Sequence, residues 1–279
     1  MSTSLAKTKR RLRSVEGTRK LTKAMELIAL AKLKKGLEGI EGGRYFLLEF
    51  QKALARLQKM AGEQGGNGAS AKGKRLIVFL GSDLGLCGPY NVDLGKQLLS
   101  VTRSGDAIYP LGSHASSFVE KSGLAKAEGL PPLTLEASAE SAFRFVEAAL
   151  SAVGEGTYGE IGIVYSHYVN SLKNLPLYER VYPLAELAPE KNSGEEIEPE
   201  LDEDPQVLLE QLLLPYLSSL LSARIRESTI AEYSARRTAM ETANDNADEL
   251  IQELNVLYNK ERQNAITQEI VEVVGGSNV

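Results

Sequence analysis

A small α/β domain carried between two long terminal helices is the fold class this sequence predicts, and three observations predict it. From about Pro205 to Val274 the chain has one further proline, Pro215, and no glycine until Gly275-Gly276. Within that stretch Met240, Ala243, Ala247, Leu250, Leu254 and Leu257 recur in alternating steps of three and four, which places them on one seam of a helix. At about 1.5 Å per residue such a helix would run roughly 100 Å, and a 279-residue globular protein has no interior of that length. The second observation is an apolar stripe of the same kind at the N-terminus. The third is a block between them whose texture changes from helical to alternating strand and helix. The insert begins and ends at one end of the helix pair, so the two terminal helices must run antiparallel, and a coiled coil is the natural form for them.

Taken in order, residues 1–61 read as the N-terminal coiled-coil helix. Leu5, Leu12, Val15, Leu21, Met25 and Ile28 mark one face, and Leu33, Leu37, Ile40, Leu47, Phe50, Leu54 and Leu57 continue it. Gly36, Gly39, Gly42 and Gly43 each weaken the helix by up to ~1 kcal/mol relative to Ala, so a curve, kink or break is expected near Gly42-Gly43. Residues 62–73 are a glycine-rich linker. The α/β domain spans 74–187. Arg75 to Leu80 is a buried strand, Val92 to Val101 a helix, Ala107 to Leu111 a second strand and Ala115 to Ser122 a short helix. Ala139 to Val153 is a helix with Ala142, Phe143, Val146, Ala149, Leu150 and Val153 on its apolar side. Ile161 to Tyr165 is a third strand and Leu175 to Leu184 a fourth, joined by a hairpin around Asn170 to Asn174. Strands alternating with helices make a mostly parallel, Rossmann-like sheet. Residues 188–204 form an acidic loop, and 205–279 the C-terminal coiled-coil helix, with Asp204 as N-cap and Pro205 at its first position.

Composition narrows the function classes. Hydrophobic content of 43% and charge of 25% are ordinary for a soluble protein. Aromatics are sparse at 6% and Trp is absent, as in helical rods rich in Leu and Ala. The net charge of −5 hides an asymmetry. Eleven Lys and Arg up to Lys35 face only Glu16 and Glu26, whereas from Glu190 to Asp204 eight Asp and Glu stand against Lys191 alone. Cys87 is the single cysteine, so no internal disulfide forms and a reducing compartment is expected. No run approaches the ~18 apolar residues of a membrane span, so any membrane contact must be indirect.

Few residues invite chemistry. The turn Ser82-Asp-Leu-Gly-Leu-Cys-Gly88 follows the first strand, where α/β folds place phosphate loops and catalytic turns. It lacks both GxGxxG and the GK[ST] of a P-loop. An enzyme reading would take Asp83 as acid or ligand and Cys87 as nucleophile. The only histidines, His114 and His167, are remote from Cys87 in sequence, which favours a tight turn with structural glycines and a small buried cysteine. Two histidines and one cysteine cannot build a zinc site of familiar spacing. Neither metal nor cofactor is expected. Arg236-Arg237 and Tyr258 to Gln263 interrupt the leucine stripe. They are either a solvated face or a face turned to a partner that encloses the helix.

Four stretches resemble a known family. Leu12-Arg-Ser-Val-Glu-Gly-Thr-Arg-Lys-Leu-Thr-Lys-Ala-Met-Glu-Leu-Ile-Ala-Leu-Ala-Lys-Leu33 resembles a signature with K-[IL]-T-K-A-M-E-[ML] and A-K-L. Ser82 to Asn91 is similar to S-D-R-G-L-C-G-G-[FY]-N. Glu241-Thr-Ala-Asn-Asp-Asn-Ala247 is similar to A-T-D-N-A, and Leu257 to Ile270 resembles Y-N-[KR]-x-R-Q-A-x-I-T-x-E-[IL]. The family is the gamma subunit, or central stalk, of the rotary F-type ATP synthase, and the motifs occur in its order from end to end.

That resemblance implies a non-catalytic rotor whose terminal helices enter the hexamer of alpha and beta subunits and couple proton translocation to ATP synthesis or hydrolysis there. It implies contacts with the epsilon subunit and the ring of membrane c subunits, no nucleic acid, and a peripheral place on the cytoplasmic face of the bacterial inner membrane. Lys20, Met25, Arg262 and Gln263 fall at positions implied to face beta subunits. Asp83, Gly85, Cys87 and Gly88 mark the implied foot-domain turn. Ile266 to Val274 would sit in an apolar sleeve. The sequence departs from the pattern at Leu84 for Arg, Pro89 for Gly, Asn244 for Thr, and Gly36 and Gly39 where Ala is usual. These departures leave room for a divergent or sodium-driven paralogue. From the residues alone two other classes stay open: a coiled-coil adaptor or enzyme with a small-molecule site in the α/β domain, and a nucleic-acid adaptor using the basic N-terminus.

Overall fold

The structure, a computed structural model, describes residues 3–61, 73–136, 138–184 and 201–276. Their order is α1 (Thr3–Ala61), β1 (Lys74–Leu80), α2 (Tyr90–Val101), β2 (Ala107–Leu111), α3 (Ser113–Lys121), α4 (Ala139–Gly154), β3 (Tyr158–Asn170), β4 (Lys173–Tyr182) and α5 (Pro205–Gly276). The linker expected at 62–73 lies outside the described residues except for Gly73, and so does the acidic loop as far as residue 200. Contacts divide the chain into two units: Lys32–Ala235, and Met1–Ala31 together with Arg236–Val279.

In the Lys32–Ala235 unit the four strands lie in the order β2-β1-β3-β4. β1 pairs parallel with both β2 and β3, and β3 pairs antiparallel with β4. The sheet is mixed, with two of its three pairings parallel. Because strand side chains alternate, β1 feeds two cores. Leu76, Val78 and Leu80 join Phe145 and Ala149 of α4, Leu54 of α1 and Leu217 to Ile225 of α5 on one face. Ile77 and Phe79 join Leu94 and Leu98 of α2 and Val119 of α3 on the other. The sheet is therefore covered on both faces, as parallel pairing requires.

Two expectations are corrected and one is narrowed. Of the curve, kink or break expected near Gly42-Gly43, a break is ruled out: α1 is one continuous helix there, because Leu47, Leu54 and Leu57 beyond them are anchored in the core, and tertiary packing overrides weak propensity. In α4 the buried aromatic is Phe145, while Phe143 is exposed; the buried set Ala142, Phe145, Val146 and Ala149 follows the three-four step more closely. β3 is also far longer than the apolar run Ile161 to Tyr165, since it continues into the hairpin with β4. The start of α5 is as expected. Asp204 accepts the Gln206 N–H at 2.8 Å through Oδ1, and its carbonyl accepts from Leu208 at 3.1 Å, with Pro205 first in the helix.

Within the other unit α1 and α5 run in opposite directions. Ser4 hydrogen-bonds Glu261, Arg19 pairs with Asp248 at 2.5 Å, and Thr22 meets Asn244 at 2.5 Å. On α5, Met240, Asn244 and Leu254 are buried, and Ala243, Ala247 and Leu250 partly so. On α1 the covered positions are Leu5, Thr8, Leu12, Val15, Thr22, Met25, Glu26 and Ala29. Leu21 and Ile28, expected on the seam, are 61% and 57% exposed. A seam in steps of three and four passes through Thr22 and Ala29 and leaves their predecessors facing outward.

Candidate interaction surfaces

The turn between β1 and α2 is held from both sides. Asn91 on α2 accepts the Ser82 N–H through Oδ1 at 3.1 Å, and its amide nitrogen donates to Ser82 Oγ at 2.7 Å and to Cys87 Sγ at 3.3 Å. Gly88 adopts φ 58° and Leu86 φ 61°, the left-handed conformation that reverses the chain; glycine takes it without strain and leucine does not. Asp83 Oδ1 accepts from the backbone N–H of Ser113 at 3.0 Å and from its hydroxyl at 3.2 Å, so it caps the start of α3. Cys87 is buried at 2% exposure. Gly85 lies beside the His114 ring, with Nε2 3.6 Å from where a Cβ would stand. Asp83, Gly85, Cys87 and Gly88 thus come together in one turn, with Asp83 and Cys87 engaged in holding it. Leu84 and Leu86 project from it, 65% and 59% exposed.

The four residues expected to face beta subunits do not form one cluster. Lys20 is exposed and Met25 half-buried on α1; Arg262 and Gln263 are exposed on α5. Arg19 lies opposite Asp248, so along α5 the Lys20 level and Arg262 are about 20 Å apart. Past Glu261 the helix continues beyond the level of the α1 start, and Arg262, Gln263, Ile266, Ile270, Val271, Val273 and Val274 are exposed. An apolar helical face left in water calls for a partner.

Electrostatics concentrate on a network that the sequence does not reveal. Glu227 on α5 is buried and receives Arg44 Nη2 at 2.9 Å, His167 Nδ1 at 2.7 Å and Arg224 Nη1 at 3.1 Å. Arg224 also grips Glu179 of β4 with two nitrogens at 2.5 and 2.9 Å and lies over the Tyr165 ring. Burial presses down on the charge of the Arg224 guanidinium, yet its bonds to Glu179 hold its pKa above the ordinary range. Burial is also the main cause that pushes the Tyr165 hydroxyl up. The network joins α1, β3, β4 and α5. Its members lie from residue 44 to residue 227, so spacing along the chain does not reveal it. Among the described residues no cluster of three or more His, Cys, Asp or Glu side chains could hold a metal ion. No helix among them is long and apolar enough to cross a membrane.

Comparison with known proteins gives these surfaces their context. The sequence profile of the family described as ATP synthase matches residues 4–279. The chain is 32% identical over 284 residues to the ATP synthase gamma chain of Clostridium pasteurianum, covering 99% of each. It is 33% identical over 285 residues to that of Mycoplasma mobile, covering 98% of each. Its fold is similar to a chain of the Euglena gracilis mitochondrial ATP synthase in a cryo-EM structure of the OSCP/F1/c-ring assembly. That match has a TM-score of 0.66 and 16% identity and covers 100% of this chain and 97% of the other. With its matching motifs in order from end to end, the chain belongs to the family of ATP synthase gamma chains.

Proposed function

We propose that this chain is the central rotor of an F-type ATP synthase, a non-catalytic subunit that couples ion flow in the membrane sector to ATP synthesis or hydrolysis in the beta subunits. The observation that carries this reading is the family match over residues 4–279. The geometry supports it. The turn that offered the best catalytic residues is tied up internally, and the helices offer exposed side chains such as Lys20, Arg262 and Gln263. A shaft turning inside a ring needs polar, separable contacts in place of a broad apolar seal.

In this reading α1 and α5 form an antiparallel coiled coil, with helices over 1–61 and 205–279 flanking a Rossmann-like α/β domain at 74–187, and with the linker 62–73 and acidic loop 188–204 between them. The coiled coil enters the alpha/beta hexamer. The α/β domain meets the epsilon subunit and the ring of c subunits, and the chain sits peripherally on the cytoplasmic face of the bacterial inner membrane. Lys20, Met25, Arg262 and Gln263 face beta subunits in turn. The exposed Ile266 to Val274 stretch occupies an apolar sleeve, and the turn of Asp83, Gly85, Cys87 and Gly88 shapes the foot, with Leu84 offering an apolar contact where an Arg is usual.

Co-purification tests the class: a stable complex with alpha and beta subunits is expected, and nucleotide turnover by the isolated chain would overturn the rotor reading. Met25→Lys tests the placement by adding a cation beside Lys20 and Lys23. ATP-driven ion pumping should fall several-fold relative to ATP hydrolysis, with the unfolding midpoint little changed. Normal coupling in that variant removes Met25 from the contact surface.

A further inference from the structure

A groove of about 790 Å³ opens between α1, α5 and the segment leading into α4, wholly inside the Lys32–Ala235 unit. That volume lies in the ~300–1,000 Å³ range of small-molecule sites. Its two ends differ. Phe46, Leu47, Leu135, Phe143 and Pro215 line one end, while Lys32, Lys35 and Tyr233 line the other.

Three glycines of α1 line the groove, and only one has a packing reason. A Cβ on Gly36 would stand 2.7 Å from Ile230 Cγ1, so glycine there lets α1 and α5 approach. A Cβ on Gly39 or Gly43 would meet nothing within 4 Å, and neither has a positive φ. Each nevertheless weakens the helix by up to ~1 kcal/mol relative to Ala. What their missing side chains preserve is the open space of the groove.

The charges around that space are unequal. Lys32, Lys35, Arg44, Arg224 and Arg226 face two carboxylates, Glu136 and Glu227. Glu227 is engaged by Arg44, Arg224 and His167, and Glu136 lies beside Leu135 at the apolar end. Lys32 bonds the Tyr233 hydroxyl at 3.0 Å. Lys35 and Arg226 are exposed and take part in no hydrogen bond or ion pair among the described residues.

We propose that the groove binds a free long-chain carboxylate, an amphiphile of the fatty-acid class. Its tail lies along Gly39 and Gly43 toward Phe46 and Phe143, and its carboxylate is held by Lys35 and Arg226. The division into an apolar end and a cationic end fits this ligand and disfavours a neutral polar or cationic one.

The test titrates radiolabelled hexadecanoate onto the full-length chain and onto its complex with alpha and beta subunits. Saturable binding of one molecule per chain is expected in both, undisturbed by hexadecyltrimethylammonium, which has the same tail and a cationic head. Gly39→Leu combined with Gly43→Leu fills the groove with helix-favouring side chains and should lower affinity at least tenfold with helix content retained. Lys35→Glu should lower it several-fold. Unsaturable uptake, equal competition by the cationic amphiphile, or unchanged affinity in the filled variant overturns the proposal. Binding to the free chain that vanishes in the complex also overturns it, because another subunit would then occupy the groove.

Discussion

The two units of this chain bury different things. In the Lys32–Ala235 unit a sheet is covered on both faces, and residues such as Phe79, Leu76, Leu54 and Phe145 are sealed from solvent. In the unit built from the first 31 residues and the last 44, burial is narrow. Met240, Leu254 and Ala29 are covered, but they share the seam with Thr8, Thr22 and Asn244. Much of the apolar surface there faces outward, including Leu21, Ile28, Val256, Ile266 and Val271. The sheet unit is stabilised by apolar burial of its own. The helix pair is held in register by hydrogen bonds and leaves much of its apolar surface exposed. A polar residue in a helix seam fixes register at a cost in stability, which suits a segment that must hold its alignment under torque.

The comparison can be broken or sharpened by substitution, starting with the largest effect. Phe79→Ala removes a buried ring from the sheet unit and should cost about 3–5 kcal/mol in urea unfolding; a cost below about 1 kcal/mol would mean that core is loosely packed. Glu227→Gln leaves Arg44 and His167 without their carboxylate and should cost about 2–3 kcal/mol by the same measurement. Arg224 keeps Glu179 in that variant, which limits the loss. Asn244→Ala removes the bonds to Thr22 and Glu26, the latter at 2.6 Å. It should cost about 1 kcal/mol, visible as faster hydrogen exchange confined to the region around 240–248. If exchange rises equally in β1 and β3, the two units do not respond independently.

The smallest effect is a pH dependence. The Glu26 carboxyl is held below its usual pKa, first by the hydrogen bond from Lys23 and further by Asn244. A lowered folded pKa means the stabilisation is complete above the unfolded value of about 4 and is lost as pH falls through the folded value. The helix pair should therefore loosen below about pH 4, and Glu26→Gln should flatten that acid limb in a helicity titration. An unchanged limb would place the acid sensitivity on other carboxylates.

Elements were legible in the sequence wherever a periodic pattern was long or a strand was a pure apolar run. β1 and β2 end where their apolar runs end, at Leu80 and Leu111, and Asp204-Pro205 marks the start of α5 because capping is local chemistry. α1 stays continuous through its glycines because helix propensity is weak against the anchoring of Leu47, Leu54 and Leu57 in the core. Periodicity places Phe143 on the apolar side of α4 because either ring fits a helix, and packing against the sheet decides that Phe145 is the buried one. The turn at Ser82 to Gly88 was visible as a motif, but whether Asp83 and Cys87 were free to act depended on Ser113 and Asn91, which come from two other elements.

By itself, then, the sequence determined the two long helices, the alternating insert between them and the family, since each rests on local periodicity or on motifs read along the chain. Tertiary structure alone decided the polar seam at Thr22 and Asn244, the charge network around Glu227, and the space kept open at Gly39 and Gly43. These are properties of residues brought together from distant parts of the chain, and a carboxylate or a missing Cβ acquires its meaning only from what packs against it.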